Sequence, residues 1–268
     1  MKCIPSDGLQ LAVETFGSGP PLIMAHGLTG NRNMSRQQLA PLADSYRVIV
    51  FDQRGHNEST PVTDPALYDP LRMAADIGNI LDAFNVERAI IGGESMGAAT
   101  ALTFALNWPQ RVETLLLTAP AFGDKPNPES EGIREMGAAI ATVGIEAFLD
   151  AAEVKWREEL EWPQVVIDHV RAMQSCHDAA SLAVACQTVI DWQLFTNLSV
   201  VSQLEMPVRI VAWENDDLHP LILAQRMAAL IPDVKMTVLA SLTEMFSNPA
   251  VITIHYRRFL EELGSNND

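Results

Sequence analysis

The chain has 268 residues, enough for one large α/β domain, and its 48% hydrophobic and 19% charged residues give a globular balance that excludes disorder. Eighteen Lys plus Arg against 34 Asp plus Glu leave a formal charge of −16, which repels nucleic acid and anionic membranes and leaves a small-molecule substrate as the expected partner. Three cysteines at no metal-ligand spacing, with neither a signal-peptide pattern nor an apolar run of membrane length, predict a cytoplasmic monomer or homodimer without metal or cofactor.

Two alternating segments around Asp7-Gly8 predict a β-hairpin. The continuous apolar runs 21–26, 47–52, 88–93 and 114–119 then read as strands covered on both faces. Between them, 72–84 has a helical apolar stripe through Met73, Ile77, Ile80, Leu81 and Phe84, and 96–106 is apolar nearly all round, as a deeply buried helix is. The alternation stops after Pro120 and resumes at Pro207 with strand 208–213, a helix over 220–231, strand 235–240 and a last helix from about 249. The pattern predicts a mostly parallel, doubly wound α/β core from 1–120 and 205–268, interrupted by a helical cap over 121–204. Trp156, Trp162, Trp192 and Phe195 are candidates for the inner lining of that cap.

Gly93-Glu94-Ser95-Met96-Gly97 stands between an apolar strand and a small-residue helix, the setting in which G-x-S-x-G lifts a serine nucleophile above the sheet edge. His26-Gly27-Leu28 follows an earlier strand, so the backbone N–H groups of Leu28 and Met96 are the expected pair for a developing oxyanion. Phe51 to Ser59 also lies at a strand end, where its Asp, Arg and Ser read as bracing for the loop.

Taken in order, HGLTG, FDQRGHNES, GGESMGAATAL and a late Asp-x-x-x-Pro resemble the α/β-hydrolase superfamily, in particular its capped carboxylesterases, enol-lactone hydrolases, carbon-carbon hydrolases and prolyl aminopeptidases. The likeness covers nearly the whole chain and departs at Asn57, where Gly is usual. It implies Ser95 as nucleophile and Asp216 as acid, with Glu214 and Asp217 competing for the latter role and Trp213 standing where the family usually has Gly.

The resemblance also implies a histidine after the last strand, seven residues before a proline; that position is Leu242. The substitute bases are His26, at the end of the strand beside the elbow; His219, which at three residues from Asp216 reads as too close to be oriented by it; and Glu244, two residues past the vacant position. His255 reads as structural, and His169, His177, Cys176 and Cys186 as packing or surface residues. The expectation is a serine-hydrolase-type enzyme for a small, mainly apolar ester, lactone, amide or carbon-carbon substrate, weak or inactive on generic activated esters because Leu242 cannot accept a proton. The alternatives are a ligand-binding pseudo-hydrolase and a non-hydrolytic lyase or cyclase on the same fold.

Overall fold

Continuous apolar runs become the inner strands of an eight-stranded sheet in the computed structural model, which describes residues 1–240, 248 and 250–265. The strands are β1 (Lys2–Ser6), β2 (Leu9–Phe16), β3 (Pro21–Ala25), β4 (Arg47–Phe51), β5 (Ala89–Glu94), β6 (Val112–Thr118), β7 (Val208–Trp213) and β8 (Val234–Leu239). Their spatial order is β1-β2-β4-β3-β5-β6-β7-β8; β1 and β2 pair antiparallel, as does β2 with β4, and the remainder are parallel. The chain winds one way from β3 to β4, crosses back over β3 to β5, and continues the other way to β8. The reversal between β3 and β5 is a topological switch point, and the crevice outside the carboxyl ends of such strands is where open α/β sheets hold ligands.

Alternation along each strand divides its side chains between two layers. Ile23, Ile49, Ile91, Leu115 and Ile210 face a core shared with α2 (Pro70–Ala83), α3 (Met96–Asn107) and α8 (Leu221–Leu230). Leu22, Val48, Ile90, Leu116 and Val211 face the opposite core, which includes Leu39 of α1 (Arg32–Leu39) and Ile252, Tyr256 and Phe259 of α9 (Val251–Ser265). The stripe predicted for α2 is buried at Met73, Ile77, Ile80 and Leu81. Its start is fixed by Asp69, whose carboxylate accepts from the N–H groups of Leu71 and Arg72 just before Pro70 at the first turn. Helix α1 has no clear apolar period in the sequence; four of its five buried residues, Arg32, Ser35, Gln38 and Met34, are polar or flexible, and Asn31 caps it through Met34 N–H.

Four α-helices stand between β6 and β7: α4 (Ser130–Val143), α5 (Ile145–Glu158), α6 (Gln164–Gln174) and α7 (Ala179–Val189). Ile140, Ile145, Leu149, Leu182 and Cys186 give them a small core of their own. Helix α7 ties them to the sheet layer: Ser181 Oγ accepts from Val62 N–H, and the Ser181 carbonyl accepts from the Tyr68 hydroxyl at 3.1 Å. Trp192 is buried against Phe122, its indole N–H donating to the Tyr68 carbonyl, so it is a packing residue here. No helix among the described residues is long and apolar enough to cross a membrane.

Candidate active site

Strand β5 ends and α3 begins at Ser95, whose φ of 54° and ψ of −114° put a non-glycine residue in a sparsely allowed conformation. Two hydrogen bonds hold it there: Ser95 N–H donates to the Thr118 carbonyl at 3.0 Å and Ala99 N–H donates to the Ser95 carbonyl at 3.1 Å. The flanking glycines are required by close approach. A Cβ on Gly93 would overlap the Gly97 carbonyl, and one on Gly97 would overlap the carbonyl oxygen of Ala25.

The loop after β7 brings a histidine to the serine. His219 Nε2 lies 2.8 Å from Ser95 Oγ, and His219 Nδ1 lies 2.7 Å from Asp216 Oδ2. Asp216 Oδ2 also accepts from the Trp213 indole N–H at 2.7 Å, while Oδ1 accepts from the His219 backbone N–H at 3.0 Å. Burial pulls the Asp216 carboxyl upward, but the His219 and Trp213 donors outweigh it and hold the group below the usual carboxylate range. With the carboxylate accepting at Nδ1, the ring proton sits on Nδ1 and Nε2 keeps its lone pair toward the serine hydroxyl.

This geometry differs from the expectation that three residues are too few for Asp216 to orient His219. The turn folds so that the backbone N–H of His219 caps Oδ1, an Asx-type closure that swings the ring onto Oδ2. Asp217 and Glu214, the competing acids, are exposed, whereas Asp216 is shielded. Sequence reasoning missed the anchoring role of Trp213. The available signal was that a buried indole N–H needs an acceptor, and a carboxylate, Asp216, stands three residues on.

The turn after β3 packs against Ser95: a Cβ added at Gly27 would stand 3.4 Å from Ser95 Cβ. Histidine rings meet the carbonyls of Gly27, Leu28 and Thr29 in succession. His26 Nδ1 lies 2.7 Å from the Gly27 carbonyl, His56 Nε2 lies 2.7 Å from that of Leu28, and His177 Nε2 lies 3.0 Å from that of Thr29. The rings pack edge to face, His56 lying 5.1 Å from His26 and 5.2 Å from His177. Because the Gly27-Leu28 peptide is planar and trans, fixing the Gly27 carbonyl also fixes the Leu28 N–H on its opposite side. Burial pushes all three histidines down, His177 to about 4.

His26 is therefore placed differently from its reading as a substitute base. Its Nδ1 donates to Gly27, its Nε2 accepts from Gln53 N–H at 2.9 Å, and it is fully buried, so no lone pair is left for a substrate proton. His177, read as packing, is the histidine by which the inserted helices reach this turn; its Nδ1 accepts from Asn57 N–H at 3.1 Å. Asn57, at φ 45°, occupies a left-handed position that Asn tolerates nearly as Gly does. The segment from Asp52 to Ser59 braces the loop as expected: Asp52 accepts from Arg32, Asn57 and Glu58, and the Ser59 hydroxyl donates to the Asp52 carbonyl. Leu242 and Glu244 lie outside the described residues. Among those described, no group of His, Cys, Asp and Glu could hold a metal ion.

A family model for the alpha/beta hydrolase fold matches residues 20–144. The 2-hydroxy-6-oxononadienedioate/2-hydroxy-6-oxononatrienedioate hydrolase 2 of Pseudomonas putida is 30% identical over 244 residues, 87% of this chain and 80% of that protein. An epoxide hydrolase of Caballeronia sordidicola is 32% identical over 136 residues, 50% of this chain, and the match spans 41% of that protein's length. Among solved structures, a hydrolase from Pseudomonas aeruginosa PA01 superposes with a TM-score of 0.81 at 26% identity, covering 96% of each chain.

Proposed function

The chain belongs to the α/β-hydrolase family, and on that premise we propose that it is a serine hydrolase opening an ester-type bond in a small, mainly apolar substrate. The observation that carries this reading is the 2.8 Å contact between His219 Nε2 and Ser95 Oγ, with Asp216 on the other ring nitrogen. Ser95 Oγ attacks the carbonyl carbon while His219 Nε2 takes the hydroxyl proton. Asp216 stays ionised and holds the imidazolium that forms. The carbonyl oxygen, now negative, is received by the N–H groups of Leu28 and Met96; the first is oriented through the Gly27 carbonyl, and the second, at the first position of α3, has no partner within its helix. Collapse expels the alcohol, to which His219 returns the proton, and water activated by the same ring releases the acid and restores Ser95.

In this reading 1–120 and 205–268 form the catalytic core and 121–204 its cap. His219 fills the role that the position of Leu242 leaves vacant, so activated esters are turned over. The test is hydrolysis of p-nitrophenyl acetate by the wild-type chain and by Ser95→Ala. The reading expects a loss of at least about a thousandfold in kcat, with an unchanged circular dichroism spectrum. A Ser95→Ala protein that keeps a tenth of wild-type activity sinks it.

A further inference from the structure

Three arginines are buried among the described residues, and two of them have carboxylate partners. Arg32 pairs with Asp52 and Glu58, and Arg54 with Asp76 and Asp7. Arg209, the second residue of β7, is 8% exposed and pairs with no carboxylate among the described residues. Its Nη2 donates to Thr237 Oγ1, its Nε is buried without a partner, and the Phe259 ring centre lies 5.9 Å away, near the outer limit of a cation–π contact. Burial pulls Arg209 below the ordinary arginine value, whereas the carboxylates beside Arg32 and Arg54 hold those two above it. A buried guanidinium without a counter-charge is costly, and an anion held beside it removes that cost.

A cavity of about 310 Å³ opens at this point between β7, β8 and α9, lined by Arg209, Lys235, Thr237, His255, Arg258 and Glu262 along with Phe259. Arg209 Nη1 makes no hydrogen bond among the described residues and is not enclosed, so it opens onto the cavity that Arg209 lines. Lys235 and Arg258 stand at the exposed rim, and both already hold Glu262, at 2.5 Å and 3.2 Å. Three cations thus surround one carboxylate, in a chain whose net charge is −16. The cavity is separate from Ser95 and His219: Arg209 precedes Trp213 by four residues of β7, about 13 Å along an extended strand.

We infer that this cavity is an anion site for a phosphate group, either inorganic phosphate or a small phosphate monoester, held by the Arg209 guanidinium from within and by Lys235 and Arg258 at the rim. Arginine offers five N–H donors in a planar fork that matches two oxygens of one phosphate, and here a single one of its nitrogens is spent within the chain. A dianion balances the two positive charges left over by Glu262, which a monocarboxylate does not. A polyanion is disfavoured, because beyond these few cations it meets the field of a strongly acidic chain. The site owes nothing to the hydrolase reading and stands or falls apart from it.

The test is titration calorimetry and thermal unfolding of the full chain at neutral pH and constant ionic strength, with sodium phosphate, glycerol phosphate, sodium acetate and a DNA oligonucleotide as probes. Phosphate is expected to saturate one site with a Kd of about 1 mM or below and to raise Tm with its concentration, while acetate binds at least about tenfold more weakly. Equal affinity for phosphate and glycerol phosphate identifies the free ion as sufficient, and tighter binding of glycerol phosphate identifies a monoester as the source; either supports the site. Lys235→Gln and Arg258→Gln, both at exposed positions, should each weaken phosphate about threefold or more, and Glu262→Gln, which removes the competing carboxylate, should tighten it. Arg209→Met should abolish binding; if that variant does not fold, the double Lys235→Gln, Arg258→Gln protein carries the test with an expected loss of at least about tenfold. Arg157→Gln, an exposed change on α5, should leave binding as it is. No saturation up to about 20 mM phosphate, phosphate binding that these substitutions do not move, or DNA binding more tightly than phosphate overturns the inference.

Discussion

Replacing Asp216 by Asn keeps the side chain's shape but breaks its acceptor count. The carboxylate serves three donors: His219 Nδ1 and the Trp213 indole on Oδ2, both at 2.7 Å, and the His219 backbone N–H on Oδ1 at 3.0 Å. Asparagine offers one oxygen. If that oxygen takes the Oδ2 position, the amide NH2 faces the His219 backbone N–H; if it takes the Oδ1 position, the NH2 faces both the indole and the ring. The second arrangement favours the tautomer with its proton on Nε2, which points at Ser95 Oγ 2.8 Å away and cannot accept. From the effect of the equivalent change in a serine triad, kcat for p-nitrophenyl acetate is expected to fall on the order of 10⁴-fold, or about 5 kcal/mol of transition-state stabilisation. The mismatched buried donor should also cost about 1–3 kcal/mol of stability, visible as a lower Tm. Asp216→Asn with kcat within tenfold of wild type and an unchanged Tm would refute the reasoning.

His177 is held near 4 by burial and by His56, below its ordinary value of 6.5. Its folded-state pKa is depressed, so between about 6.5 and 4 the unfolded chain binds a proton that the folded chain does not, and stability drops as pH falls through that window. The loss is at most roughly 3 kcal/mol. His177→Gln should flatten the Tm-against-pH curve over that range, and an identical slope would show that His177 is not the titrating group. Leu242→His should change ester turnover by less than about threefold, because the acceptor position on Ser95 Oγ is already filled by His219. A tenfold gain would instead favour a vacant base.

The parts of the site that backbone sterics dictate were legible in the sequence. Gly93 and Gly97 are there because side chains would strike neighbouring carbonyls, and that requirement gives the elbow its signature before any coordinates exist. The two-layer core was equally readable, since strands covered on both faces need continuous apolar runs such as those of β3, β5 and β6. Helix α1 was not legible, because its buried face includes Arg32, Ser35 and Gln38, held by polar partners rather than by an apolar stripe. The pairing of Asp216 with His219 was visible as a spacing but was misjudged, because a three-residue separation in a capped turn brings side chains together as it does on a helix. The series of His26, His56 and His177 depends on a contact between residues 29 and 177, which no local pattern records.

On the proposed mechanism His219 is the base for Ser95. The most direct test of that role is the rate at which a fluorophosphonate labels Ser95, located by mass spectrometry of the labelled peptide, in the wild-type chain and in His219→Gln. A Ser95 adduct is expected in the wild type, with labelling slowed by at least about a thousandfold in the variant, where the hydroxyl has lost the group proposed to take its proton. Equal labelling rates in the two proteins would contradict it.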